Sequence, residues 1–400
     1  MIEVDRPLTD LPAPPAEALA ASRALTDRIA REIAAQGPMP FSRFMQLALY
    51  DPHYGYYMAG QHKFGAGGDF VTAPEISPLF SYCLAAQCAE VLSVIPGGSI
   101  LEIGGGSGVM AVDILGRLER LNCLPDKYYI LELSAELRER QRRLFSERAP
   151  KLLPKVEWLQ SLEGWSMRGV MLGNEVLDAM PVERFRKTAG GIDVLFVDRD
   201  RENDCFVWLS EQAGPDVDAA VRTIESDLGS ELPDGYCSEL NLNLSPWVGT
   251  LAGCLEKGVM LLIDYGYPRR EYYAAERDMG TLMCHYRHHA HGDPFRWVGL
   301  QDITAHVDFT AVAEGAATAG LTVAGFTSQA EFLLAGGIDR QLQEITESAP
   351  EIERFRAIQG FKTLIMPTEM GERFKMLAAT RDHDQPLAGF SVNNDRRHYL

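Results

Sequence analysis

The stretch Leu101-Glu102-Ile103-Gly104-Gly105-Gly106-Ser107-Gly108 constrains this chain more than any other. It reads as an apolar strand tip carrying one acid, a glycine turn, and then the helical run Val109 to Leu118. A strand feeding glycines and then a helix sets backbone N–H groups beside a ligand, because a chain without Cβ atoms turns tightly and approaches closely. The segment therefore predicts a ligand loop at a strand–helix bend of an α/β protein. The dinucleotide fingerprint G-x-G-x-x-G does not fit it. A frame starting at Gly104 needs glycine where Val109 stands, and a frame starting at Gly105 meets Ser107.

What fits is E-x-G-x-G-x-G, with Glu102 ahead of Gly104, Gly106 and Gly108. This resembles the first motif of class I S-adenosyl-L-methionine (SAM) methyltransferases, where the loop wraps the amino-acid end of the ligand. Two further segments suit such a fold. Tyr128-Tyr129-Ile130-Leu131 is a buried-type strand ending in Glu132, 24 residues beyond Gly108. That is comparable to the roughly 20-residue spacing at which an acid grips a ribose in dinucleotide folds. Gly169-Val170-Met171-Leu172-Gly173 is another apolar strand, and it stops at the polar pair Asn174-Glu175. Ligands of open α/β sheets bind outside the carboxyl ends of the strands, so three strand ends aim polar groups at one crevice.

The 400-residue length exceeds what one hydrophobic core serves, so a second lobe or insertion is expected. The proportions of hydrophobic residues, 46%, and charged residues, 24%, are ordinary for a soluble globular protein. A formal charge of −18 argues against broad nucleic-acid binding, which needs a basic footprint, and favours a basic partner such as an arginine-bearing segment. Seven scattered cysteines without a C-x-x-C pair fit reduced thiols. The opening is too acidic and proline-rich for a signal or transit peptide, and apolar runs such as Val259 to Ile263 are strand-sized. A cytoplasmic protein without membrane insertion is expected.

Periodicity predicts helices over Ala16 to Gln36 and Phe41 to Tyr50, then alternating strands and helices from about Ser99 to Tyr265. Short period-2 runs at Val182 to Lys187, Val194 to Asp198 and Phe206 to Ser210 predict a β-rich insertion. Strands are expected near Leu321 to Phe326 and over Phe374 to Thr380. The expected organisation is a flexible tail at 1–15 and N-terminal helices with a cofactor lid loop over 16–98. A Rossmann-like, mostly parallel sheet with helices on both faces takes 99–180 and 247–400, with a substrate-side loop around 267–310, and the insertion takes 181–246.

Four segments then make the resemblance specific: Gly67 to Ser77 (GGDFVTAPEIS), Gly173 to Val182 (GNEVLDAMPV), Leu262 to Gly266 (LIDYG) and Asp302 to Phe309 (DITAHVDF). In this order they resemble the MidA-like family, which includes the mitochondrial complex I assembly protein arginine methyltransferase and many bacterial relatives. The resemblance implies a class I methyltransferase fold, SAM as cofactor, and a protein substrate presenting an arginine, such as a respiratory complex I subunit.

A guanidinium is protonated at all relevant pH, so its nitrogen attacks a methyl group only when carboxylates localise its charge and draw its proton away. Glu175, at a strand end, is the first candidate to fork onto it, and Asp178, one helical turn on, the second; both also suit first-turn acids of a helix. The Gly67 to Ser77 segment reads either as a lid over SAM, with Asp69, Thr72 and Glu75 supplying polar contacts, or as a capped loop leading to a helix at Pro78. The resemblance favours the lid. His306 and Asp308, two apart, would share one side of an extended segment near the substrate, or form an ordinary surface pair. The histidines at 285, 288, 289 and 291 match no closed zinc pattern and read as a polar crossover loop. Another protein or small-molecule substrate, or a SAM-binding assembly factor without turnover, are the other functions open to such a chain.

Overall fold

The computed structural model describes residues 11–58, 71–391 and 395–400. Two compact units divide the chain. One takes Met1–Phe70, Asp178–Leu244 and Tyr267–Asp308; the other takes Val71–Leu177, Ser245–Gly266 and Phe309–Leu400.

The second unit contains the glycine turn. Its sheet has seven strands along one path: β1 Ser99–Ile103, β2 Tyr128–Leu131, β3 Val156–Leu159, β4 Met167–Asn174, β5 Leu255–Tyr267, β6 Thr322–Ser328 and β7 Phe374–Arg381. They lie in the order 3-2-1-4-5-7-6. β3, β2, β1, β4 and β5 pair in parallel, and β7 runs antiparallel to both β5 and β6. The chain reverses its winding between β1 and β4, and an open sheet binds ligands at such a switch point.

β1 is buried at all five positions, the run expected of a parallel strand with both faces covered. One face packs Ile100, Val170, Leu172, Leu261 and Ile263 with Leu79, Phe80, Leu84 and Val91 of helix Pro78–Ser93 and with Ile114, Leu115 and Leu118 of helix Val109–Arg120. The alternate residues Leu101, Met171, Met260 and Leu262 are equally buried. Because helix Pro78–Ser93 belongs to this core, the unit begins near Val71, not at the expected boundary of 98/99. The outer edge of β6 is covered by the C-terminal segment, where Arg396 N–H donates to Phe326 O (2.7 Å) and Arg397 Nη1 to Val323 O (3.0 Å).

In the first unit, helices Ala16–Gln36 and Phe41–Tyr50 share a core with the insertion: Leu25, Ile29, Phe41 and Phe44 pack with Val182, Val197 and Phe206. The period-2 runs are strands Glu183–Thr188, Gly191–Asp200 and Cys205–Gln212 of an antiparallel sheet that also takes in Met39–Pro40 and Cys237–Leu240. The insertion also contains a helix, Pro215–Leu228, whose Val217, Val221 and Ile224 pack on Phe185, Ile192 and Tyr236. The histidine segment, expected to be a crossover loop, is a hairpin. Met283–Tyr286 and His289–His291 pair antiparallel, joined by Arg287 and His288 with φ of 46° and 63°, the left-handed pair that a two-residue hairpin turn needs.

Candidate active site

The residues expected to hold a cofactor lie at the carboxyl ends of β1, β2 and β4. After Ile103 the backbone turns through left-handed φ at Gly104 (68°), Gly106 (50°) and Gly108 (85°) and enters helix Val109–Arg120 directly from Gly108. Gly108 has no side chain to cap the helix, so the first-turn N–H groups stay available to a ligand. Space is also short here, since a Cβ on Gly105 would stand 2.7 Å from Ile130 Cγ2.

Glu102 and Glu132 occupy different settings. The Glu102 carboxyl is 2% exposed and accepts the Tyr128 hydroxyl at 2.7 Å. Burial pushes it up to about 8, opposed by that hydrogen bond and helped by the negative charge of Glu132. Glu102 is thus a largely protonated core acid beneath the turn at neutral pH. Glu132 follows β2. Its Oε1 accepts Ser134 N–H at 2.9 Å, its Oε2 receives Gln141 Nε2 at 3.4 Å, and burial raises its pKa against those bonds. Gln141 was not singled out by the sequence reading. Its signal is a helix, Ala135–Arg148, so polar that only Gln141 and Phe145 are buried.

At the end of β4, Asn174 is nearly buried and Glu175 adopts φ 53°, a left-handed conformation unusual for glutamate. The backbone is pinned there by Glu175 N–H donating to Ile263 O (2.9 Å). The Glu175 Oε1 accepts Asn174 Nδ2 (3.1 Å) and Ala73 N–H (3.3 Å). Asn174 Oδ1 is buried without a hydrogen-bond partner among the described residues. An orphaned buried acceptor is costly, and a ligand ammonium group would satisfy it. The next loop is held by Asp264, fully buried, whose Oδ2 accepts Leu177 N–H at 2.9 Å. Thr72 precedes the short helix Ala73–Ile76 with no capping bond from its side chain, and Glu75 sits half-buried in that turn. Asp69 lies outside the described residues.

The remaining candidates belong to the first unit. Asp178 is 7% exposed, and its carbonyl accepts Ala305 N–H at 3.0 Å. The His306 ring lies 5.4 Å from the Tyr267 ring, which Arg277 covers at 3.9 Å. Asp308 pairs through Oδ2 with Arg269 Nε at 3.2 Å, and Arg269 also bonds Asp227. Among the described residues no three His, Cys, Asp or Glu side chains are grouped as a metal site would need.

A glycine turn at the switch point, an acid after β2 and a polar pair after β4, with no dinucleotide fingerprint, define a SAM-dependent methyltransferase of the class I fold. Comparison with known proteins agrees. Residues 83–327 match the family described as "Putative S-adenosyl-L-methionine-dependent methyltransferase", and the chain belongs to that family. A crystal structure from Burkholderia thailandensis with bound S-adenosyl-homocysteine is 42% identical, with TM-score 0.92, over 98% of this chain and 100% of that one. "Protein arginine methyltransferase NDUFAF7, mitochondrial" is 27% identical in Danio rerio, over 92% of this chain and 93% of the relative. The Homo sapiens protein of that name is also 27% identical, over 87% of this chain and 81% of its own length. The cofactor is SAM. Among the described residues no helix is long and apolar enough to cross a membrane.

Proposed function

We propose that this methyltransferase modifies an arginine side chain of a partner protein, with Glu175 as the carboxylate that receives the guanidinium. The carrying observation is the Glu175 side chain itself. A left-handed backbone, Asn174 and the Ala73 N–H together fix a carboxylate at the strand end beside the glycine turn. A carboxylate fixed in this way can bind a guanidinium through paired hydrogen bonds and take the proton that leaves Nη. When bound, SAM supplies an electrophilic methyl group on a sulfonium sulfur. In this reading Gly104, Gly106, Gly108 and the Asn174 Oδ1 hold its amino-acid end, Glu132 its ribose, and Asp69, Thr72 and Glu75 the lid side. Asp178 and His306 act on the substrate side, and Asp308 supports them through Arg269. The names of the curated relatives favour arginine, and the resemblance set out above implies a respiratory complex I subunit as the partner.

The test is transfer of a labelled methyl group from SAM into a fractionated bacterial lysate, followed by mass spectrometry, with wild type beside Glu175→Gln. The expected result is label on a protein arginine, reduced at least about 100-fold by Glu175→Gln, while affinity for S-adenosyl-homocysteine stays within about threefold. Label on a small molecule, or equal loss of cofactor affinity in the variant, would overturn the assignment.

A further inference from the structure

Gln141 is fully buried, and its amide joins the glycine turn, Glu132 and Trp158 of β3. Its Nε2 donates to Gly106 O at 2.9 Å and to Glu132 Oε2 at 3.4 Å, and its Oε1 accepts Trp158 Nε1 at 2.7 Å. The amide can face only this way. A backbone carbonyl only accepts and an indole N–H only donates, so a flipped amide would oppose like to like at both Gly106 O and Trp158 Nε1. Its stem also packs on the turn, since a Cβ on Gly108 would stand 3.0 Å from Gln141 Cγ.

Two geometric consequences follow. A trans peptide holds the carbonyl of one residue and the N–H of the next antiparallel in one plane. Holding Gly106 O toward Gln141 therefore points the Ser107 N–H away from it, out of the packed side of the turn. The second consequence concerns Glu132, whose two oxygens are held separately, Oε1 by Ser134 N–H and Oε2 by Gln141. One buried amide thus orients a backbone donor of the turn and the acid after β2 at once, and Trp158 of β3 fixes the direction of that amide.

We infer that Gln141 is a positioning residue for SAM, setting the glycine turn and Glu132 together, with Trp158 as the group that orients it. The ribose role of Glu132 belongs to the site reading above, and the inference rests on it in part. The experiment is calorimetric titration of the full-length protein with S-adenosyl-homocysteine, alongside the melting temperature of the ligand-free protein. The variants are Gln141→Met, Trp158→Phe, their combination, and Glu132→Gln. Hydrogen bonds to the Glu132 carboxyl and to the part-buried Gly106 carbonyl are lost in Gln141→Met, so its affinity is expected to fall about tenfold. Trp158→Phe, which removes only the indole donor, is expected to lose about threefold or more, and to add nothing when Gln141 is already methionine.

A loss below threefold in Gln141→Met, or a Trp158→Phe loss that multiplies fully with it, overturns the inference. A merely structural contribution would lower the ligand-free melting temperature without that non-additivity. Should Gln141→Met fail to fold, Trp158→Phe alone decides, and unchanged affinity overturns the inference. Full affinity in Glu132→Gln together with a tenfold loss in Gln141→Met would remove the ribose reading. The inference would then stand through Ser107.

Discussion

Glu102 offers a test of the buried network that needs no substrate. Its carboxyl lies in the core strand β1, held by the Tyr128 hydroxyl at 2.7 Å, and burial raises its pKa from 4.5 to about 8. A group that binds its proton more tightly folded than unfolded contributes stability that is fully present below about pH 4.5. That contribution is lost as pH rises through about 8. With 1.36 kcal/mol per unit of pKa, the part lost between pH 5 and pH 8 is on the order of 3 kcal/mol. Glu102→Gln keeps the shape and an acceptor for Tyr128 but carries no titrating proton. Half-buried Asp113, raised to about 6, and Glu132, also raised, add tilts of the same sign to wild type and variant. The quantity to measure is therefore the difference between wild type and Glu102→Gln in urea denaturation at pH 5, 6, 7 and 8. That difference should move by about 3 kcal/mol in favour of the variant as pH rises. Parallel pH profiles would refute the reasoning, showing that Glu102 is ionised in the fold or reaches solvent.

The sheet and the first unit give two further tests. Gly169 in β4 has φ 131°, and a Cβ there would lie 2.0 Å from Ser99 O. Gly169→Ala is therefore expected to cost at least about 3 kcal/mol and to lower the melting temperature by roughly 10 °C; an unchanged melting temperature would contradict the β1–β4 register. Arg269, with 8% of its side chain exposed, holds Asp308 and Asp227 together. Arg269→Met removes a cation from a half-buried carboxylate pair and is expected to cost about 3 kcal/mol, read by denaturation, whereas an effect below 1 kcal/mol would mean the pair is screened by water.

The sheet was legible because its signals are local and agree with one another. Ile100 to Ile103, apolar but for Glu102, Tyr128 to Leu131 and Gly169 to Gly173 are runs of strand length, and the glycines after the first of them leave few alternatives for the chain direction. The helix Pro215–Leu228 was equally readable: Pro215 at its first turn, Asp216 and Asp218 near its N-terminus, Val217, Val221 and Ile224 at helical spacing, and Gly229 (φ 73°) at its end. It was missed because the alternating runs before it set the expectation of strands. The 283–291 hairpin was hidden for a different reason. Arg287 and His288 occupy turn positions that asparagine and glycine normally mark, so local propensity pointed elsewhere and the pairing of Cys284 with His291 and Tyr286 with His289 decided the conformation.

The same conflict marks the candidate active site, and there it carries information. Nothing in the run Gly173-Asn174-Glu175 announces that glutamate will take a left-handed backbone, which costs a residue with a Cβ roughly 1–2 kcal/mol. The conformation persists because Ile263 O, Asn174 and Ala73 hold it from three separate segments, none adjacent in sequence except Asn174. Gln141 is the complementary case. It sits on a helix whose polarity suggests a solvent face, and it is buried because Gly106, Glu132 and Trp158 each need what a single amide supplies. Residue types at strand ends could be read directly, since they follow from periodicity. The orientations that make them a site come from contacts between segments far apart in the chain. The two residues at odds with their local context are thus the ones to which the chemistry and the positioning of the cofactor are assigned.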